Sequence, residues 1–298
     1  MKVPPFLKKR DKIAIVAPAG NIPKGMEDAI KLLESWELEV VIGESVTSFF
    51  HQFAGDDQLR AHDLQKMLDD KSIKAIFAAR GGYGTVRIID QLDFRHFEDN
   101  PKWIIGFSDI TVLHSHIQAL FGVPTIHGQM PLTIPDATKS SLETLRKALF
   151  GENISYGYES KYENITGFTE GILIGGNLAI LVSISGSVSE YDYTDKILFI
   201  EDVGEYYYSV DRMIRMLKRA GKLERLKGLI IGGFTSLKDN ETKFGFTAEE
   251  IILDAVKEYG YPVATGFPAG HIDNNYALIF GKLVALDVKE KLVTLNYL

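Results

Sequence analysis

Residues Trp103–Leu120 read WIIGFSDITVLHSHIQAL. Trp103–Phe107 is the short continuous apolar run of a buried strand, and a helical pattern follows at once from Ile110 to Leu120. A strand that passes directly into a helix is half of a βαβ unit. The same grammar extends towards the N-terminus. Lys74–Ala78 is a second apolar strand, running into Arg80-Gly81-Gly82-Tyr83-Gly84. Lys12–Ala17 is a third, closed by Pro18-Ala19-Gly20, and Leu38–Ile42 is a fourth. Between them, Lys24–Ser35 sets Ala29, Leu32 and Leu33 at helical spacing, and Gln58–Leu68 sets Leu64 and Leu68 four apart. This alternation predicts an α/β chain whose N-terminal part is a flavodoxin- or Rossmann-like parallel sheet. Ligands of such sheets bind beyond the carboxyl ends of the strands. The glycine-rich turn and the Gly106–Asp109 turn both fall there.

The second half reads as a mixed α+β domain. Gly171–Ser185 is apolar around Gly175-Gly176-Asn177, and Lys196–Glu201 and Leu226–Ile231 are strands. Val210, Met213, Ile214 and Leu217 form a helical stripe ending at Gly221. Thr247 and Glu250 make a capping box. Lys282–Val288 and Lys291–Tyr297 suggest a hairpin around Lys289-Glu290. Gly151–Ile165 is polar and without a clean period. The expected organisation is therefore an N-terminal domain over 1–150, a linker over 151–165 and a C-terminal domain over 166–298.

Composition narrows the chemistry. The 298 residues are 45% hydrophobic and 24% charged, which excludes disordered and fibrous classes. With 33 Lys+Arg against 40 Asp+Glu the net charge is −7, which argues against nucleic acid as a partner. No run resembles a signal peptide or a membrane span, so a soluble cytoplasmic protein is expected. Cysteine is absent, so a covalent catalyst of this sequence needs Ser, Thr, Lys, Tyr or a carboxylate as nucleophile. No motif calls for a metal or another cofactor, and none is expected.

The turn Gly106-Phe107-Ser108-Asp109-Ile110-Thr111 has the layout of a nucleophile elbow, with a serine between a buried strand and a helix N-terminus. It lacks the second glycine of the α/β-hydrolase motif. Ser108 and Asp109 are also good N-caps, and the residues alone favour that reading. A nucleophilic serine needs a base oriented by a carboxylate. His114 lies on the apolar side of its helix, His116 faces elsewhere, and His51, His62 and His96 stand in polar surroundings. His127 follows a short strand, and His271 lies in a glycine-flanked loop between two strands. Residue spacing does not choose between these two. Nor does it choose among Glu201, Asp202 and Glu205 at the end of an apolar strand. The Arg80–Gly84 turn lacks both the dinucleotide and the P-loop spacings, so its glycines suit a backbone that approaches a substrate closely.

Taken together, KIAIVAPAG at 12–20, ARGGYG at 79–84, GFSDIT at 106–111, His127-Gly128, GGNL at 175–178, EDVGE at 201–205, Asp211-Arg212-Met213 and Gly270-His271 with Asn275 resemble the muramoyl-tetrapeptide carboxypeptidases. These are serine L,D-carboxypeptidases of murein recycling. The resemblance covers the whole chain, and it rests on the order and spacing of the segments. It implies a site between two domains, with Ser108 as nucleophile, His271 as base and Glu201 as the orienting carboxylate. The N–H groups of Asp109 and Gly82 would form the oxyanion hole. Arg80, Gly81 and Tyr83 of the same turn would contact substrate, with Arg80 the candidate for its free carboxylate. The implied reaction removes a terminal D-alanine from a murein tetrapeptide in the cytoplasm. The implied assembly is a homodimer with no membrane partner. For an ordinary histidine base, activity should rise through a pKa near 6–7.

The sequence departs from the family pattern at Phe107, where Tyr is common, and at Gln129, Tyr206-Tyr207 and Ile279, where prolines are common. The microcin self-immunity peptidases resemble the same family and share the triad. An aminoacyl-nucleotide amide is therefore the alternative substrate, and a non-catalytic ligand-binding protein is a third reading.

Overall fold

The structure, a computed structural model, describes residues 2–23 and 25–298. Lys24, with which the expected first helix begins, lies outside the described residues. Five parallel strands form the first sheet: β1 (Lys12–Val16), β2 (Glu39–Ile42), β3 (Ile73–Ala78), β4 (Trp103–Gly106) and β5 (Thr125–His127). The helices between and after them are α1 (Glu27–Ser35), α2 (Asp57–Asp69), the short α3 (Thr85–Ile88) and α4 (Arg95–Asp99), α5 (Thr111–Phe121) and α6 (Lys139–Phe150). The order β2-β1-β3-β4-β5 is the flavodoxin order, with its topological switch between β1 and β3.

The strands read as unbroken apolar runs because both faces of the sheet are covered. Ile13, Ile15, Phe77, Trp103 and Ile105 point to one side. Ala14, Val16, Ile76, Ala78 and Ile104 point to the other, against Leu64 and Leu68 of α2 and Leu113 and Ile117 of α5.

The second half builds a seven-stranded sheet from β6 (Ser155–Glu159), β7 (Gly167–Asn177), β8 (Lys196–Val203), β9 (Gly228–Thr235), β10 (Val263–Gly270), β12 (Leu283–Val288) and β13 (Leu292–Tyr297). Its order is β10-β9-β8-β7-β12-β13-β6. The strands β7 to β10 pair in parallel, and β7-β12-β13-β6 pair antiparallel. Helices α7 (Leu178–Ser183), α8 (Tyr207–Arg219) and α9 (Ala248–Val256) cover one face. The stripe Val210, Met213, Ile214 and Leu217 is the buried side of α8, and the Thr247–Glu250 capping box forms. The other face packs against the first sheet, so Phe199, Ile230 and Leu286 share one core with Ile13, Phe77 and Trp103.

Two local features depart from the sequence reading. The polar stretch 151–165 is not wholly a connection, because it contains β6, the outer strand of the second sheet. The chain also returns to the first sheet, where β11 (Leu278–Phe280) adds antiparallel to β5. Three residues are too few for a periodicity to show. Among the described residues no helix is long and apolar enough to cross a membrane.

Candidate active site

The carboxyl ends of β1, β3 and β4 meet those of β7, β8 and β10 in one cleft. At the end of β4, Phe107 is extended and Ser108 has φ +65°. That left-handed backbone is uncommon for a residue with a Cβ and costs about 1–3 kcal/mol unless the surroundings enforce it. They do here. The carbonyl of Gly106 accepts from His114 Nε2 at 2.9 Å and from the Gly128 N–H at 3.2 Å. His114 is the buried core histidine expected, and burial draws its pKa down to about 4. Neither Ser108 nor Asp109 caps the helix that follows. Asp109 is buried and its Oδ2 accepts from the Thr85 N–H at 2.8 Å, across the cleft floor. The capping reading therefore fails, and the strained elbow remains.

The glycine turn packs directly on this elbow. A Cβ placed on Gly81 would stand 2.8 Å from Ser108 Cβ, 2.9 Å from its Oγ and 3.4 Å from the Asp109 nitrogen. Only glycine allows that approach. The Gly20 N–H donates to the Gly81 carbonyl at 3.1 Å, joining the ends of β1 and β3. Arg60 was not visible as a site residue in the sequence. It is fully buried behind the turn, where it donates to the carbonyls of Pro18, Gly55 and Gly84 and pairs with Asp57. Gly82 and Tyr83 are exposed, and Tyr83 rests on Phe53 with ring centroids 6.0 Å apart. Arg80 is half-buried and donates to the Asn21 carbonyl at 2.8 Å. It forms no ion pair among the described residues, which leaves its charge free for a ligand.

From the second sheet come the acid and the imidazole. Glu201, on β8, is completely buried, and its Oε2 accepts from His271 Nδ1 at 2.6 Å and from the His271 N–H at 3.2 Å. Gly270 makes room for the pair. At φ +112°, a Cβ there would lie 2.8 Å from Glu201 Cβ and from Oε2. Asn275 holds the loop by accepting from the Gly270 N–H at 2.8 Å, and Thr235 donates to the His271 carbonyl at 3.0 Å. Burial alone would lower the His271 pKa. The hydrogen bond and charge of Glu201, with the charge of Asp202 behind it, outweigh that and hold it above 6.5. With Nδ1 donating to Glu201, Nε2 is free to accept a proton.

The two histidines that spacing could not separate are now distinct. His127 is fully buried among Phe107, Phe199 and Phe280, bonded through Nε2 to Asn275 Oδ1 at 3.2 Å. Burial holds its pKa well below 6.5. His271 is only partly buried, and its ring meets the edge of Phe107, the neighbour of Ser108, at 4.9 Å between centroids. Among the acids, Glu205 accepts from Ser209 Oγ at 2.8 Å at the start of α8, away from the imidazole. A cavity of about 210 Å³ opens beside His271 and Phe107, lined also by Gln129, Thr133, Asp136, Ile272 and Asp273. Of these lining residues, only Phe107, Gln129 and His271 stood out in the sequence.

Comparison with known proteins gives the family and the fold. Residues 13–128 match the LD-carboxypeptidase N-terminal domain and residues 170–286 the LD-carboxypeptidase C-terminal domain. A probable murein peptide carboxypeptidase of Bacillus subtilis (strain 168) is 34% identical, over 97% of this chain and 92% of its own. The crystal structure of a muramoyltetrapeptide carboxypeptidase from Oxalobacter formigenes superposes with a TM-score of 0.87 at 29% identity, covering 96% of this chain and 98% of that one. MccF, solved in complex with glutamyl sulfamoyl guanosine, shares the fold with a TM-score of 0.87 at 21% identity, covering 98% and 97%. The chain belongs to the LD-carboxypeptidase family, and it is a carboxypeptidase of the serine type.

Proposed function

We propose that this chain releases the terminal D-alanine of murein tetrapeptides in the cytoplasm, as a step of cell-wall recycling, and that it works as a homodimer. The observation that carries the reading is the Glu201–His271 pair at 2.6 Å, standing on the phenylalanine next to a serine held at φ +65°. The substrate class follows the names of the Bacillus and Oxalobacter relatives.

In this mechanism Ser108 Oγ attacks the scissile carbonyl while His271 Nε2 takes its proton. Glu201 keeps Nδ1 protonated and stabilises the imidazolium that forms. The tetrahedral oxyanion lies against the Asp109 N–H and an N–H of the glycine turn, for which Gly82 is the candidate. Each such donor is worth about 3 kcal/mol in the transition state. Collapse breaks the amide bond, and His271 returns the proton to the leaving amine of D-alanine. A water, deprotonated by His271, then attacks the acyl-enzyme, and Ser108 regains its proton. Arg80 supplies the cation for the free carboxylate of the substrate, and Gly81 and Tyr83 border it.

The test is D-alanine release from purified tetrapeptide by wild type and by Ser108→Ala. Release by wild type alone supports the reaction and the nucleophile together. Equal release by both removes Ser108 from the reaction. Failure of both moves the weight to an aminoacyl-nucleotide amide, and then to a binding protein. The exposed ring pair Tyr206–Tyr208, 5.4 Å between centroids and near Glu201 in sequence, is the feature that would serve a nucleotide.

A further inference from the structure

The acid next to Glu201 takes no part in this chemistry, yet it is almost as deeply buried. Asp202 is 2% exposed and forms no ion pair among the described residues. Its oxygens are used up by N–H donors. Oδ1 accepts from Asn177 Nδ2 at 2.9 Å and from the Val203 N–H at 2.8 Å, and Oδ2 accepts from the Ala179 N–H at 2.9 Å. Asn177 ends β7, and its own N–H donates to Thr111 Oγ1 at 3.0 Å. Thr111 opens α5, three residues after Ser108. A chain of hydrogen bonds therefore runs from the helix that follows the serine elbow, through Thr111 and Asn177, to Asp202. One peptide bond then leads to Glu201 and its imidazole.

A buried carboxylate without a cation is costly to desolvate, and here three N–H donors offset that cost. We propose that Asp202 is a positioning residue: it locks the helix that follows the serine elbow to the Glu201–His271 pair and holds a second negative charge behind the imidazolium. The proposal rests on the Ser108–His271–Glu201 reading.

The groups around it are few. Glu201 neighbours Asp202 on β8, Asn177 and Ala179 face it from β7 and α7, and Phe234 lies opposite on β9. His271 faces Glu201, Asp202 and the neutral His127. Burial, then the Glu201 charge, push the Asp202 pKa up to about 6. A protonated Asp202 would meet only donors, so the lock opens as pH falls. That loss and the protonation of His271 act in the same direction. The acid limb of activity should then be steeper than one proton allows.

Full-length wild type, Asp202→Asn and Thr111→Val decide it, each read by the NMR titration of the His271 ring and by the pH profile of D-alanine release. Asp202→Asn is expected to lower the His271 midpoint by about half a pH unit and the plateau kcat about tenfold, with KM nearly unchanged. Thr111→Val is expected to lower kcat and leave the midpoint in place, because it removes the acceptor that ties α5 to Asn177 and keeps the Asp202 charge. A His271 midpoint unmoved in Asp202→Asn overturns the electrostatic half, whatever happens to kcat. An unchanged kcat in Thr111→Val overturns the lock, and this holds even if Asp202→Asn does not fold. The ring titration needs no turnover. A wild type that releases no D-alanine therefore counts against the peptidase reading and leaves the charge coupling still measurable.

Discussion

Replacing Gly81 by alanine tests the cleft at its tightest point. The added Cβ would stand 2.8 Å from Ser108 Cβ and 2.9 Å from Oγ, and ordinary contact begins near 3.4 Å. Something must therefore move by about 0.6 Å, and both partners are held on backbone: Gly81 by Gly20, and Ser108 by its elbow. The displaced atom is Ser108 Oγ, the oxygen proposed to attack. A misplacement of about 1 Å can cost about a hundredfold in rate, so a loss of tenfold to a hundredfold in kcat is expected. Gly82→Ala is the comparison: its nearest neighbour would lie at 3.5 Å, so its difficulty is the backbone at φ +104°, which carries the N–H offered to the oxyanion. That strain costs about 1–2 kcal/mol of stability and leaves Ser108 Oγ unobstructed while it disturbs the oxyanion donor. The assay is kcat for D-alanine release alongside the melting temperature. Gly81→Ala should lose rate with a small change in melting, and Gly82→Ala should lose melting temperature at least as readily as rate. A Gly81→Ala enzyme with wild-type kcat would refute the close packing of turn and nucleophile.

Activity should rise with pH as His271 loses its proton. Because Glu201 holds that pKa above 6.5 in spite of burial, half-maximal kcat/KM belongs above pH 6.5, at the upper end of the window expected for an ordinary histidine. A flat profile between pH 5 and 8 would exclude a histidine base. Arg80→Ala should raise KM for tetrapeptide by about tenfold or more through loss of a charge-assisted contact, and an unchanged KM would remove Arg80 from carboxylate recognition. Arg60→Met should destabilise the fold by about 3 kcal/mol, seen in denaturant unfolding, since it strands the buried carbonyls of Pro18 and Gly84. Its partner Asp57 keeps a second cation in Arg87, which limits the damage.

The first sheet was legible because its strands are buried on both faces and stand as short apolar runs between helical patterns. Its order was not, since nothing local says that β3 pairs with β1 and not with β2. The edge strands were harder. Only Tyr156 in β6 is fully buried, so the segment reads as polar, and β11 is three residues long. At the site, residue types located the candidates and could not rank them. Ser108 suits a cap as well as an elbow until its φ is known. Glu201 and His271 are 70 residues apart, so their hydrogen bond exists only once the second sheet has formed. The resemblance to a family supplied that ranking, whereas Arg60 carried no local signal and Asp202 showed only as one of three acids at a strand end.

This division has a physical cause that bears on how the cleft works. A nucleophile on one sheet and its base on another are aligned only as well as the two sheets are docked. The docking surface here is the apolar core shared by Phe77, Trp103, Phe199 and Leu286, which fixes distance but resists sliding weakly, because dispersion contacts have little direction. Direction must come from polar contacts between the halves. The Asn177–Thr111 bond crosses between them beside the serine. The His127–Asn275 and Gln129–Asp273 bonds cross on the other side, beside the imidazole. The strand β11 adds a backbone ladder from the second half onto β5. Two of these contacts lie within a few residues of His271, and one lies within three of Ser108. These bonds stand where a shift of a few tenths of an ångström would matter most to proton transfer.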